Sequence, residues 1–301
     1  MATTTRPKQE IRVLAAPRGV AARPSRAARD RSGRLMLYVV LTVLGLVAAL
    51  PFVWMILASF KPEAEVRAIP PTFWPQEGTL DNYRTILNDP ELPLEIFYRN
   101  SAFIAVMNVI ATLFTGSLLG YVFAKFQFRL RAPLFWFILA TMMIPPQVTM
   151  LPGYLILLQL DLLNNLWGLI IPSFIDAFAI FVMRQFILSI PNDEIWSARV
   201  DGASEWRIYR SIVLPQLRAP LATLGLLTFM FNWNAYLWPL VVLTEQNKRT
   251  LPIILTWYST HHSVQNNLVM AAAVLMVIPV LILFALSQRW IVRGLTLTGG
   301  R

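Results

Sequence analysis

Apolar residues fall into six long blocks that polar segments separate. The blocks cover about residues 35–60, 100–124, 133–158, 167–190, 219–243 and 268–292. Each block is close to the roughly 20 residues with which an α-helix crosses a hydrocarbon core of about 30 Å. Pro145, Pro146 and Pro152 interrupt the third block and Pro172 interrupts the fourth, which predicts bends there. The pattern predicts an all-α membrane protein, a bundle of six transmembrane helices.

The N-terminal segment differs sharply from the blocks. Residues 1–35 are rich in arginine, alanine and proline, and Glu10 and Asp30 are their only acids. Such a composition is typical of disorder. A cleaved signal peptide is the alternative, but the first block is too long for it and lacks a clear cleavage site. The sequence therefore predicts a disordered basic tail at residues 1–35 and one six-helix membrane domain at residues 36–301.

Basic residues concentrate in alternate loops. The loops after the second and fourth blocks carry Lys125, Arg129, Arg131, Arg199, Arg207, Arg210 and Arg218. Residues 61–98 contain more acids than bases and several prolines. Because cytoplasmic loops of membrane proteins carry the excess of lysine and arginine, both termini are predicted to be cytoplasmic. Residues 61–98 are predicted to form an outer segment with short helices at the membrane surface.

The overall composition agrees with a membrane protein. Hydrophobic residues make up 56% of the 301 residues and charged residues only 14%, with a mean hydropathy of +0.55. The net charge of +10 lies in particular loops, so it indicates membrane orientation and not nucleic-acid binding. The chain has no cysteine, which excludes disulfides and thiolate metal sites. No metal site and no cofactor is predicted.

The loop between the fourth and fifth blocks is predicted to form two short helices. Asn192 or Asp193 can cap the first helix, and Gly202 can end it because glycine adopts positive φ freely. Ser204 can cap the second helix, which Leu214-Pro215 is expected to end.

The faces of these two helices suggest a docking surface. Ile195, Ala198 and Val200 are expected on one side of the first helix, and Trp206 and Arg207 are presented by the second. Such a helical pair can dock into a groove on another protein. The alternative is a basic helix that rests on anionic lipid.

This loop resembles the cytoplasmic coupling motif of ABC importer permeases, written E-A-A-x-x-D-G-A, eight residues, then I-x-L-P. The matching residues are Ala198, Asp201, Gly202, Ala203, Ile212, Leu214 and Pro215. Trp196 stands where the motif has glutamate and Ser197 where it has alanine, with Glu194 as a candidate substitute. We call residues 191–215 the coupling segment.

Other stretches are also similar to this family, in particular to the shorter permease of maltose-type or multiple-sugar importers. They include Ser59–Pro62, Ile144–Val148, Trp233–Leu240 and Arg293–Thr296. The resemblance implies a permease subunit that pairs with a second permease as a heterodimer, on two ATPase subunits. An extracellular sugar-binding protein would deliver the sugar. The implied ATPase contacts are Trp196, Ala198, Asp201, Gly202, Ala203, Trp206 and Arg207.

The chain itself is not expected to be an enzyme. It contains no G-x-x-x-x-G-K-[ST] loop, which cradles nucleotide phosphates, so the ATPase activity is expected on a partner. Asp176 lies within the fourth block, and an acid in a membrane span is a functional candidate. A proton-coupled secondary transporter is therefore the alternative function. A packed acid beside the Pro172 break is the structural alternative for the same residue.

Three polar residues of the fifth block are candidates for a translocation path. Asn232, Asn234 and Tyr236 supply amides and an aromatic ring, which can bind a sugar. Hydrogen bonding between helices explains the same residues and is slightly preferred. Gly116 and Gly120 are predicted to allow close helix packing. The pair His261-His262 is interpreted as surface residues and not as a metal site.

Overall fold

The computed structural model describes residues 26–260 and 265–298. Helices and turns make up these residues, with no strand among them. The first helix, α1, covers Arg26–Ala58. From Trp54 onward, the described residues form a compact unit of their own. Its helices are α2 (Glu63–Val66), α3 (Asp81–Leu87), α4 (Leu94–Lys125), α5 (Arg131–Thr141), α6 (Pro146–Gln159), α7 (Trp167–Ile170), α8 (Ala177–Leu188), α9 (Asn192–Val200), α10 (Glu205–Ile208), α11 (Leu214–Gln216), α12 (Arg218–Trp233), α13 (Leu237–Val242), α14 (Leu251–Thr260) and α15 (Asn266–Thr298).

The start of α1 lies within the predicted tail of residues 1–35. The helix begins at Arg26. Alanine, arginine and leucine are strong helix formers. A helix that is already nucleated by an apolar span extends over such residues at low cost. Residues 1–25 lie outside the described residues.

The predicted all-α membrane fold is confirmed. Within the described residues, four helices are long and apolar enough to cross a membrane: Gly33–Ala58, Leu94–Lys125, Trp167–Leu188 and Asn266–Gln288. Two bent pairs raise the count to six if each is one span. One pair is α5 with α6, bent by 99°, and the other joins residues 205–216 to α12 with a bend of 79°.

The predicted breaks at proline are confirmed in two places. Pro145 and Pro146 lie where α5 gives way to α6, at the bend of 99°. Pro172 lies in a 3₁₀-helix, Ile171–Phe174, that separates α7 from α8. Pro152 stays inside α6 without ending it. The fourth block is thus a broken helix, whose irregular part is residues 171–176.

Helix α4 lies at the centre of the unit and packs closely on α8. A Cβ atom added at Gly116 would lie 2.8 Å from Ala179 Cβ, and one at Gly120 would lie 2.9 Å from Met183 Cβ. Real Cβ atoms do not approach so closely, so only glycine permits this spacing. The prediction of close packing at the two glycines is confirmed.

The two ends of α4 contact different loops. At its first turns, Asn100 Nδ2 donates to the carbonyl oxygens of Asn247 and Arg249, at 3.0 Å each. At its last turn, Lys125 Nζ donates to Ile190 O at 2.6 Å. With about 1.5 Å of rise per residue, 32 residues separate these ends by about 48 Å. The loops before α14 and before α9 therefore lie at opposite ends of the unit.

Residues 61–98 contain two short helices, α2 and α3, as predicted. Buried Lys61 holds them in place, with Nζ 3.7 Å from Glu65 and 4.9 Å from the centre of the Trp54 ring. Asn82 Nδ2 donates to Ser59 O and to Lys61 O at 2.8 Å. This segment is thus tied to the end of α1 by its own side chains.

Candidate functional site

The turn of the coupling segment forms as predicted. Gly202 has φ of +78°, which glycine adopts without strain, and its N–H donates to Arg199 O at 3.0 Å. Ser204 Oγ accepts from the Arg207 N–H at 3.4 Å and caps α10. The two helices of the segment therefore meet at a glycine hinge.

The start of the segment differs from the prediction. Pro191 stands at the N-cap of α9, so neither Asn192 nor Asp193 caps this helix. Proline fits the start of a helix because it has no N–H to leave unpaired and its φ is already fixed. Asn192 instead accepts from Lys125 Nζ at 2.8 Å. Its side chain ties the coupling segment to the last turn of α4.

The predicted helix end at Leu214-Pro215 is also wrong. After α10 the chain forms a π-helix, Tyr209–Val213, and then α11, which includes Pro215. Proline is tolerated because it lies in the first turn of α11. The helix axis changes direction only at Leu217, between α11 and α12.

The inner face of the coupling segment packs against two membrane helices. Ile195, Ile208 and Val213 are buried in one cluster with Tyr121 of α4 and Met183 of α8. Fixed packing of this kind transmits displacement, because packed interiors have low compressibility. A force on the segment would therefore reach α4 and α8.

The prediction that Ile195, Ala198 and Val200 share one face of α9 is wrong for Val200. Ala198 is half-buried, but Val200 is 87% exposed. Val200 lies five residues after Ile195, which places its side chain about 140° away around the helix axis. Val200 therefore faces away from the bundle. The outward face thus gains a large apolar side chain.

The exposed face combines aromatic, aliphatic and charged residues. Trp196 is 59% exposed and Trp206 is 54% exposed, on either side of the hinge. The centre of the Trp206 ring lies 5.4 Å from the centre of the Tyr209 ring, so Tyr209 packs against Trp206. Among the remaining candidate contacts, Asp201, Gly202 and Arg207 are exposed, and Ala198 and Ala203 are half-buried. Exposed tryptophan beside arginine is the composition of energetically important protein interfaces.

Glu205 joins the hinge to the membrane helices, a role that the sequence analysis missed. Its carboxylate accepts from Arg199 Nε at 2.7 Å and from the Tyr121 hydroxyl at 2.7 Å. The hydrogen bond from Arg199 lowers the pKa of Glu205, an effect that burial partly opposes and Tyr121 supports. An acid and an arginine that flank a glycine turn are the signal that could have found this pair.

Glu194, the candidate substitute for the glutamate of the motif, has a local partner. Its Oε2 accepts from Gln216 Nε2 at 2.8 Å, which links α9 to the last residue of α11. A cleft of about 420 Å³ lies between the segment and the end of α4. Its lining residues include Lys125, Trp196, Arg199 and Glu205.

A comparison with protein families identifies this architecture. The model of the binding-protein-dependent transport system inner membrane component matches residues 116–297. The chain belongs to this family. It is a membrane permease and not a catalytic enzyme.

Similar proteins are known by name and structure. The arabinooligosaccharides transport system permease protein AraQ of Halalkalibacterium halodurans is 34% identical over 84% of this chain and 91% of its own length. The lactose transport system permease protein LacG of Rhizobium radiobacter is 32% identical over 89% and 96%. A crystal structure of a bacterial ABC transporter involved in import of the acidic polysaccharide alginate is 26% identical. Its TM-score is 0.77, over 89% of this chain and 99% of that one.

The three predicted path residues of the permease have different surroundings. Asn232 Oδ1 accepts from Asn108 Nδ2 of α4 at 2.6 Å, a hydrogen bond between helices as the slightly preferred interpretation expected. Asn232 also lines a cavity of about 500 Å³. Asn234 is exposed and donates to Met230 O at 2.8 Å, within its own helix turn. Tyr236 is half-buried before α13.

Asp176 of the permease is the N-cap of α8. Its Oδ1 accepts from the Ala179 N–H at 2.6 Å. This contact gives the acid a structural role at the Pro172 break, as the structural alternative predicted. The family relation supports binding-protein-dependent transport and not the proton-coupled alternative.

The histidine pair of the permease, His261-His262, lies outside the described residues. In the ranges that the structure does describe, no group of histidine, aspartate and glutamate side chains is placed to hold a metal ion.

Proposed function

We propose that this permease imports a sugar and is driven by an ATPase subunit that docks on the coupling segment. The observation that carries the proposal is the outward face of that segment. There Trp196, Val200 and Trp206 are exposed beside Arg207, while the opposite face is packed on α4 and α8. Exposed large apolar residues outside a membrane span are typical of a docking surface.

The coupling segment can pass movement in both directions because it is attached at several points. Glu205 bonds to Tyr121, and Lys125 bonds to Ile190 O and to Asn192. Closure of an ATPase dimer would push the segment, and α4 and α8 would follow. The resulting change between inward-facing and outward-facing states would move the solute.

The proposed assembly follows the family. The permease would pair with a second permease as a heterodimer, on two ATPase subunits, and an extracellular binding protein would deliver the solute. Sugar is the proposed solute class because AraQ and LacG are named for arabinooligosaccharide and lactose transport.

The proposed orientation follows the charges at the two ends of α4. Bases exceed acids at the end that carries the coupling segment, and acids exceed bases around residues 61–98. The coupling segment and both termini would then be cytoplasmic, with residues 61–98 outside.

Copurification tests the ATPase contact. We expect Val200→Arg to abolish copurification of the ATPase with the permease, because a charge replaces an exposed apolar side chain of the proposed docking face. Leu87→Arg is the matched control, since Leu87 is also exposed, at 60%, but lies on α3. Undiminished copurification with Val200→Arg would contradict the docking surface and favour a helix that rests on lipid.

A further inference from the structure

One cavity of the permease combines a polar floor with an apolar rim. It has a volume of about 500 Å³, within the range of small-molecule sites. Its polar lining residues are Thr112, Ser173, Asp176, Thr228 and Asn232. They come from α4, from the broken segment before α8 and from α12.

The floor lies where the membrane span is irregular. Ile175 and Asp176 are extended, between the 3₁₀-helix and α8. At membrane depth such backbone is tolerated only where protein buries it or where it lines a water-filled cavity. Broken helices of this kind form the solute sites of many transporters.

The rim of the cavity is apolar and exposed in this single chain. Ile175, Leu227 and Phe231 line it and are 67%, 50% and 76% exposed in this single chain. The proposed heterodimer would cover these side chains with the paired permease and leave the polar floor facing the shared interior.

We propose, building on the proposed function, that this cavity is a solute-contacting site of the permease and that Asp176 accepts hydrogen bonds from the hydroxyl groups of a neutral sugar. The described part of the chain supplies a hydrogen bond to Oδ1 of Asp176, from Ala179 N–H, and none to Oδ2. A carboxylate only accepts hydrogen bonds, and sugar hydroxyls donate them.

The same carboxylate selects against anionic solutes. The N-terminus of a half-helix attracts an anion through its free N–H groups and its dipole. At α8 the carboxylate of Asp176 already occupies this position. A solute with its own negative charge would meet repulsion there, so the cavity suits neutral saccharides.

Single cysteines test the contact directly, because the chain has none of its own. The complete transporter carries Thr228→Cys on the cavity floor. Thr223→Cys is the control on the same helix, where the native hydroxyl bonds to Ala219 O at 3.2 Å. Methyl methanethiosulfonate modifies each thiol, with lactose or arabinotriose on the binding protein and a non-hydrolysable ATP analogue present. Intact-mass measurement of the permease gives the rate.

Sugar is expected to slow modification at Thr228→Cys at least several-fold and to leave Thr223→Cys unchanged. An equal effect at both positions would overturn the proposal, as it reports a general conformational change. The proposal would also be overturned if the Thr228→Cys thiol is not modified in the absence of sugar. The same holds if sugar does not slow its modification.

Asp176→Asn tests the carboxylate. Asparagine caps helices as well as aspartate does, so α8 is retained, which an unchanged melting temperature checks. The concentration of neutral sugar that gives half-maximal protection of Thr228→Cys should rise about tenfold, the effect of losing a hydrogen bond to a charged group. Unchanged protection would overturn the role of Asp176.

Uptake measurements distinguish a failure of the proposed function from a failure of the proposed cavity. A wild-type transporter that takes up neither lactose nor arabinotriose with ATP would refute the proposed solute class, and this inference with it. Uptake without protection at residue 228 would refute only the cavity.

Discussion

Gly202 is the residue on which the shape of the coupling segment depends. Its φ of +78° is costly for any residue with a Cβ, although the space around it is empty. The constraint is therefore one of backbone conformation and not of packing.

Replacing Gly202 should weaken the hinge in proportion to this conformational cost. We expect Gly202→Ala to destabilise the turn by about 1–2 kcal/mol, and to reduce ATPase copurification. Gly202→Asn should have a smaller effect, since asparagine enters the left-handed region more readily. Equal losses with both variants would indicate that a side chain at this position blocks docking, whatever its conformation.

Glu205 gives the segment a pH dependence of known sign. The folded-state pKa of Glu205 is lowered, so its stabilising effect is present above the unfolded value of about 4.3 and is lost as pH falls through the folded value. Because the pair with Arg199 is partly exposed, the effect is about 1 kcal/mol or less.

The measurement is thermal unfolding of wild type and Glu205→Gln in detergent. The variant should melt lower at pH 7, and the difference should shrink as the pH falls below about 4.3 and disappear once the pH is below the lowered folded-state pKa of Glu205. Asp193→Asn, at an exposed acid of α9, is the control. A difference that persists at low pH would assign the effect to packing and not to charge.

At the level of helices, apolar length predicted the spans and local chemistry predicted some of their ends. The hinge at Gly202 and the cap at Ser204 depend on one residue type each, so the sequence reveals them. The cap of α9 and the end of α10 were not predicted. Pro191 and Pro215 can either begin or end a helix, and only tertiary packing decides which. The hydrogen bond from Tyr121 to Glu205 joins residues that are far apart in the sequence, so no local pattern contains it.

The contact between α4 and α8 is so close that a side chain at Gly120 does not fit. An alanine Cβ at Gly120 would meet Met183 Cβ at 2.9 Å and Arg184 N at 3.0 Å, and backbone atoms cannot move aside cheaply. Gly120→Ala should therefore destabilise the permease by about 1–3 kcal/mol.

Gly225→Ala on α12 is the matched control. Its added Cβ would meet the flexible end of Leu113, at 3.3 Å. Its melting temperature in detergent should stay close to that of wild type, while Gly120→Ala melts lower. Similar melting of both variants would show that α4 and α8 can separate without loss.

At the scale of the whole molecule, the two ends of α4 carry segments to which we assign different roles. One end carries the coupling segment, and the other carries α2, α3 and the loop before α14. The cavity around Asp176 lies along the span between them. This order, from the proposed ATPase contact to the proposed solute cavity to the proposed outer segment, is what an importer driven from one side requires.

Cysteine labelling checks the orientation of the molecule. Val200 is 87% exposed and Ile69 is 96% exposed, in segments that we assign to opposite sides. In intact spheroplasts, a membrane-impermeant maleimide should label Ile69→Cys and should reach Val200→Cys only after permeabilisation. The reverse result would place the coupling segment outside and exclude ATPase docking.

The π-helix at Tyr209–Val213 has a consequence for how the chain can vary in length. A π turn contains one residue more than an α turn, so it sets the rotational phase between the hinge and α12. Deleting one residue there would turn the following helix by about 100° and aim Thr228 and Asn232 at lipid. Insertions and deletions within Tyr209–Val213 should thus abolish transport, although every side chain of the cavity is retained.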